Sequence, residues 1–198
     1  MKNQSVRDRL FRTGLAAFAE HGYAEVSVDE IVKSANTTKP MLYYYFGNKA
    51  GLYQAIGEEA FAVLRAGYIL AEDKSAEPLD RLRAFIQADF KTMRENPDIA
   101  KFIYRTAYGA PRDAPSIDYW KLFMPSFTLI TEIIEAAQTK NQIGAGAPPL
   151  LALPLFGLVS MWTQVHLGGP MGNLLSDEMV DSVMGFYLRG VAPSTSPQ

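Results

Sequence analysis

Apolar residues recur along this chain at helical spacing, and no stretch shows the alternation of a half-buried strand. The first predicted helix spans about Gln4 to His21. Leu10, Phe11, Gly14, Leu15 and Phe18 form its inner stripe, and Gly22 stops it. Ser27 followed by Glu30 is a capping box, so a second helix starts at Ser27, turns Val28, Ile31, Val32 and Ala35 inward, and closes at Asn36. Thr37 or Thr38 caps a third, with Pro40 in its first turn. Asn48 caps a fourth, Lys49 to Ala71, striped by Leu52, Ile56, Ala60, Val63 and Leu64. Further helices are expected from Pro78 to Asn96, from Pro97 to before Gly109, and over about Ser116 to Thr139, Leu150 to Leu167 and Asp177 to Gly190. Ala192 to Gln198, rich in Pro, Ser and Thr, reads as a disordered tail.

The third helix carries chemistry that its fold role does not need. Among Met41, Leu42, Tyr45 and Phe46, the i, i+4 pair Leu42/Phe46 should face inward, while Lys39, Tyr43 and Tyr44 project outward. Lys offers charge for phosphate, and Tyr offers a flat apolar body with a hydroxyl for phosphate oxygens or base edges. Lys49, in the first turn of the next helix, opposes the helix dipole, which an external anion would explain. The residues expected at DNA are Ser27, Thr38, Lys39, Pro40, Tyr43, Tyr44, Tyr45 and Lys49. The competing reading is a buried aromatic cluster on a connecting helix, but three consecutive tyrosines cannot all be hidden by so short an element.

These residues resemble the TetR family of transcriptional regulators. The likeness runs from Leu10 to about Leu52 and rests on Leu15, Ala17-Phe18-Ala19-Glu20-His21-Gly22-Tyr23, Ser27-Val28-Asp29-Glu30-Ile31, Lys39 and Leu42-Tyr43-Tyr44-Tyr45-Phe46-Gly47-Asn48-Lys49. The chain departs from the family pattern at Asn36-Thr37-Thr38, where Gly-Val-Ser is usual, at Tyr45, often His, and at Pro40, commonly Gly. The resemblance implies an all-α homodimeric repressor with a C-terminal domain for a small effector. The expected division is a three-helix DNA-binding bundle over 1–48, an effector-binding and dimerisation domain over 49–191, and the tail over 192–198.

Charge fits a protein that touches DNA with one end. The 198 residues carry a net charge of −2. Residues 1–50 hold seven Lys/Arg against five Asp/Glu, and the remainder twelve against sixteen. The chain has no Cys, which suits a reducing cytoplasm and excludes zinc fingers and thiol catalysis. The start, MKNQSVRDRL, lacks the apolar run of a signal peptide. There is no HExxH, GxSxG or Gly-rich phosphate loop, so neither an enzyme nor a metal or cofactor is expected.

Between Lys140 and Asp177 there is no Lys, Arg, Asp or Glu. A membrane span needs about 20 apolar residues, whereas Leu150 to Trp162 is shorter and contains Pro154. The remaining readings are a helix buried within one chain and a helix shared with a second copy. A helix apolar all round must be covered all round, which favours the shared helix. The expected dimer contacts are Leu151, Leu155, Leu158, Trp162, Val180, Met184 and Tyr187, in a four-helix arrangement.

The middle of the chain is rich in aromatic residues with scattered polar groups, which is how small-molecule sites are built. The expected effector site comprises Phe90, Phe102, Arg105, Trp120, Phe123, Phe127, Trp162 and His166, and the expected ligand is small and apolar or aromatic. A ligand there would push the linking helix and change the spacing of two DNA-binding heads. The alternative is a small-molecule sensor or carrier that does not bind DNA.

Overall fold

A computed structural model describes residues 5–109, 114–169 and 174–192. These residues form ten α-helices and no strand. They are α1 (Val6–His21), α2 (Val28–Ser34), α3 (Lys39–Phe46), α4 (Lys49–Ala66), α5 (Ile69–Glu72), α6 (Pro78–Glu95), α7 (Pro97–Gly109), α8 (Tyr119–Thr139), α9 (Pro148–Gly168) and α10 (Asp177–Val191). The all-α class is as the periodicity predicts. Gln4 and the tail residues 193–198 lie outside the described residues.

The chain divides into two compact units: residues up to Ala62 with Asn96–Tyr119, and Val63–Glu95 with Trp120 onward. This differs from the expected break after residue 48. In unit 1, α4 and α7 complete the core of the first three helices. Gly14 lets α4 approach α1, since a Cβ there would lie 2.8 Å from a Leu52 methyl. Phe18, Tyr23, Tyr53 and Phe102 form a ring cluster, with Tyr53 set 5.2 Å, 5.0 Å and 5.0 Å from the other three. The ends of α1 and α7 are tied by the Lys101–Glu20 ion pair at 3.0 Å and by Arg105 donating to the Glu20 carbonyl at 3.0 Å.

Unit 2 is built on α6, whose Leu82, Phe85, Ile86, Phe90 and Met93 are buried. Arg81 fastens α5 to it by donating to the Ala71 carbonyl at 2.8 Å. The Arg83–Asp181 ion pair joins α6 to α10, and the Tyr187 hydroxyl donates to the Leu151 carbonyl at 3.0 Å, joining α10 to α9.

The helix expected over 49–71 is not continuous. α4 ends at Ala66, and Gly67 and Tyr68 turn through bonds to the Leu64 and Arg65 carbonyls before α5 begins. A Cβ at Gly67 would sit 3.1 Å from the Thr92 hydroxyl, so close approach of α6 fixes both the glycine and the break. α8 starts at Tyr119 rather than Ser116. α9 is long and apolar enough, by length and composition, to cross a membrane. Its Ala152, Leu155, Val159 and Thr163 are nonetheless covered by unit 2, and its opposite side is exposed.

Candidate nucleic-acid interface

Local chemistry sets α2 and α3. Ser27 Oγ accepts from the Glu30 N–H at 3.2 Å, and the Glu30 carboxylate accepts from the Ser27 N–H at 2.8 Å, so the capping box is complete. That bonding holds the Glu30 carboxyl below its ordinary range. Asn36 adopts the left-handed φ of 48° that ends α2. Thr38 stands at the N-cap of α3 with extended backbone, but its side chain makes no capping bond, leaving the hydroxyl available outward. Leu42 is fully buried and anchors α3 on unit 1.

The outer face of α3 is aromatic. Tyr44 is 79% exposed, Tyr43 47% and Tyr45 37%. Tyr45 meets Tyr44 edge to face at 5.0 Å, and Phe46, expected inward with Leu42, is only half-buried, so Leu42 alone fills the inner position. Lys39 is exposed and pairs with Asp29 of α2 at 2.8 Å, a contact that raises its pKa through the hydrogen bond and the charge. Pro40 is exposed in the first turn. The structure therefore brings Thr38, Lys39, Pro40, Tyr43, Tyr44 and Tyr45 together on one surface element, with Ser27 exposed at the start of α2.

Lys49 does not join them. Its ammonium donates to the Tyr23 and Val26 carbonyls, each at 2.8 Å, and lies 4.1 Å from the Tyr23 ring centre. Burial lowers its pKa. Two inward carbonyls and a ring, not an external anion, explain a lysine in the first turn of α4. Asn48 does cap that helix, accepting from the Gly51 N–H at 2.8 Å.

The family model described as bacterial regulatory proteins, tetR family, matches residues 10–56, which include α2 and α3 in full. Residues 10–56 thus carry the N-terminal signature of the tetR family. The chain is 30% identical over 81 residues to the biofilm operon icaADBC HTH-type negative transcriptional regulator IcaR of Staphylococcus aureus, covering 41% of this chain and 44% of that one. It is 44% identical over 79 residues to the transcriptional regulator AcuR of Cereibacter sphaeroides, covering 38% and 35%. Each match thus spans less than half of the relative. The solved structure of the SmeT–triclosan complex shares the fold with a TM-score of 0.74 at 20% identity, covering 98% of both chains.

The expected effector residues fall in both units. Phe102 and Arg105 belong to unit 1, where Phe102 packs on Tyr53 and Arg105 holds Glu20. Phe90 is core. Trp120 is exposed, 6.0 Å from the ring of Phe123. Phe123 and Phe127 both reach Phe156, which the sequence-based set omits. Trp162 contacts Phe186, with its indole Nε1 buried and unpaired among the described residues. The His166 Nδ1 accepts from the Leu174 N–H at 3.4 Å, a structural tie. Two of the eight thus lie in unit 1 and six in unit 2, and the six range from buried Phe90 to exposed Trp120. Sequence spacing missed Tyr68, Phe85 and Asp89 as a bonded set; the one available signal was an acid one turn after Phe85 on an apolar stripe.

The expected dimer set divides too. Leu155, Val180, Met184 and Tyr187 are buried in unit 2's own core. Helical stripes alone cannot tell a chain's own core from a shared one. Leu151, Leu158 and Trp162 are half-buried. The outward apolar residues are Leu150, Leu153, Met161 and Phe186, beside a groove of about 550 Å³ lined by Pro154, Gly157, Leu158, Met161, Trp162 and Phe186 among others. No group of His, Asp and Glu with metal-binding geometry occurs among the described residues.

Proposed function

We propose that the protein is a ligand-responsive transcriptional repressor that binds palindromic operator DNA as a homodimer and is released by a small apolar or aromatic effector. The observation that carries the DNA-binding part is the exposed Lys39–Tyr43–Tyr44 surface of α3, held by a buried Leu42. A helix so exposed and so aromatic is suited to a major groove, with Lys39 and the tyrosine hydroxyls reaching phosphates and base edges. The likeness to a negative regulator and to AcuR supports the same reading.

Dimerisation is supported by the outward apolar side of α9 and α10. A second copy using the same patch buries it by two-fold symmetry and sets two α3 helices against half-sites about 34–36 Å apart. Effector release needs only that the ligand bind the non-operator form better, by about 1–3 kcal/mol. The triclosan complex of SmeT, a protein of the same fold, supports an aromatic ligand.

A mobility shift on DNA upstream of the protein's own coding sequence tests the reading. A retarded complex with two chains per site, lost in Tyr43→Ala, is the expected result. A chain that binds hydrophobic ligands but retards no such DNA is a sensor or carrier instead.

A further inference from the structure

A run of ring contacts in unit 2 ends on a carboxylate. Phe123 and Phe127 reach Phe156 at 4.8 Å and 5.9 Å. Phe156 meets the edge of Phe85 at 5.7 Å, and Phe85 stacks on Tyr68 at 4.3 Å. The Tyr68 hydroxyl then donates to Asp89 Oδ1 at 2.9 Å. Exposure falls along this run: Phe123, Phe127 and Phe156 are half-buried, whereas Phe85, Tyr68 and Asp89 are buried.

The second oxygen of Asp89 has no hydrogen-bond partner among the described residues. A carboxylate oxygen removed from water without a donor is destabilising, and an apolar residue of the same shape carries no such cost. Burial accordingly pushes the Asp89 carboxyl up to about 6. Arg81, the other buried charged side chain among the described residues, gives its Nε–H to the Ala71 carbonyl. Its Nη2 is itself buried without a partner, and Asp89 Oδ2 keeps a lone pair free to accept from a donor outside the chain.

Resting on the effector reading above, we infer that the ring run and Asp89 form one ligand site whose ligand is a hydrophobic amine. Its apolar body replaces ring–ring contacts among Phe123, Phe127 and Phe156. Its protonated nitrogen donates to Asp89 Oδ2 and lies against ring faces, which are electron-rich and attract cations. An acidic ligand of the same body would meet a like charge at the floor of the site.

Calorimetry on the full chain at neutral pH, without DNA, compares three probes with one body: naphthylmethylamine, naphthalenemethanol and naphthoate. The amine is expected to bind at least about tenfold tighter than the other two, the scale of a charge-assisted hydrogen bond. Asp89→Asn should abolish that preference while leaving the alcohol unchanged. Tyr68→Phe should keep it, because the carboxylate remains. Equal binding of the three probes, preference for naphthoate, no binding at all, or a preference that survives Asp89→Asn would each overturn the assignment. The wild-type comparison decides it even if Asp89→Asn does not fold. Operator release is measured separately: an amine that binds without releasing DNA leaves the site standing and removes effector release through it, whereas release by other ligands with no amine binding does the reverse.

Discussion

The ammonium of Lys49 lies 4.1 Å from the centre of the Tyr23 ring and donates to the same residue's carbonyl oxygen at 2.8 Å. With a second bond to Val26, it ties the start of α4 to the segment between α1 and α2. Lys49→Met should therefore destabilise unit 1 by about 1–3 kcal/mol, the cost of leaving buried carbonyls without a charged donor. Urea unfolding measures it. Stability equal to wild type, with a change only in DNA binding, would return Lys49 to the groove.

Lys39 should behave in the opposite way. It is exposed and its ion pair with Asp29 is a surface one, so Lys39→Ala should leave stability within about 0.5 kcal/mol. Its effect belongs to DNA: operator affinity should drop and the slope of affinity against salt should become shallower by about one unit. Titrations at several salt concentrations, using fluorescence anisotropy, give the slope directly.

The outward and inward residues of the C-terminal helices should separate cleanly. Met161→Glu and Phe186→Glu place charge on side chains that are 56% and 52% exposed in one chain, so folded monomers with weakened operator binding are expected. Met184→Glu places it in the chain's own core and should unfold unit 2, with a cost of several kcal/mol. Light scattering and circular dichroism on the three variants distinguish the outcomes. Dimers of unchanged mass for both exposed variants would move the interface elsewhere.

Asp89 should leave a signature in the pH dependence of stability. Its folded pKa of about 6 lies above the ordinary value of about 3.9, so between these values the folded chain holds a proton that the unfolded chain has released. The contribution is present below about pH 4, is lost as pH rises to 6, and is flat above. The loss is about 3 kcal/mol at most. Other carboxylates act the other way, Glu20 and Glu77 being lowered chiefly by hydrogen bonds from Lys101 and Lys140. The clean measurement is thus the difference between Asp89→Asn and wild type, which should grow in favour of the variant from pH 4 to 6. A difference that does not change with pH would mean that Asp89 is not buried as an acid.

Local signals were legible wherever the cause is local. The capping box of Ser27 and Glu30, the left-handed Asn36, the stop at Gly22 and the Asn48 cap are each decided within a few residues, and the structure has all four. The outward face of α3 was legible for the same reason: three consecutive tyrosines on an eight-residue helix cannot all turn inward beside Leu42. Lys49 was misread because its partners, Tyr23 and Val26, are more than twenty positions away.

The sequence by itself determined the all-α class, the helix-turn-helix and the apolar character of α9, since periodicity, capping and composition depend on neighbours along the chain. Tertiary structure alone decided which apolar residues are left exposed and which are buried inside. Met161 and Met184 carry the same side chain, yet one is exposed and the other buried, because α6 covers only one side of the α9–α10 pair. It also decided that Gly67 breaks the linking helix where Thr92 crowds it, and that Asp89 meets Tyr68 beneath a run of rings. Those outcomes depend on distances between residues far apart in sequence, which no spacing along the chain encodes.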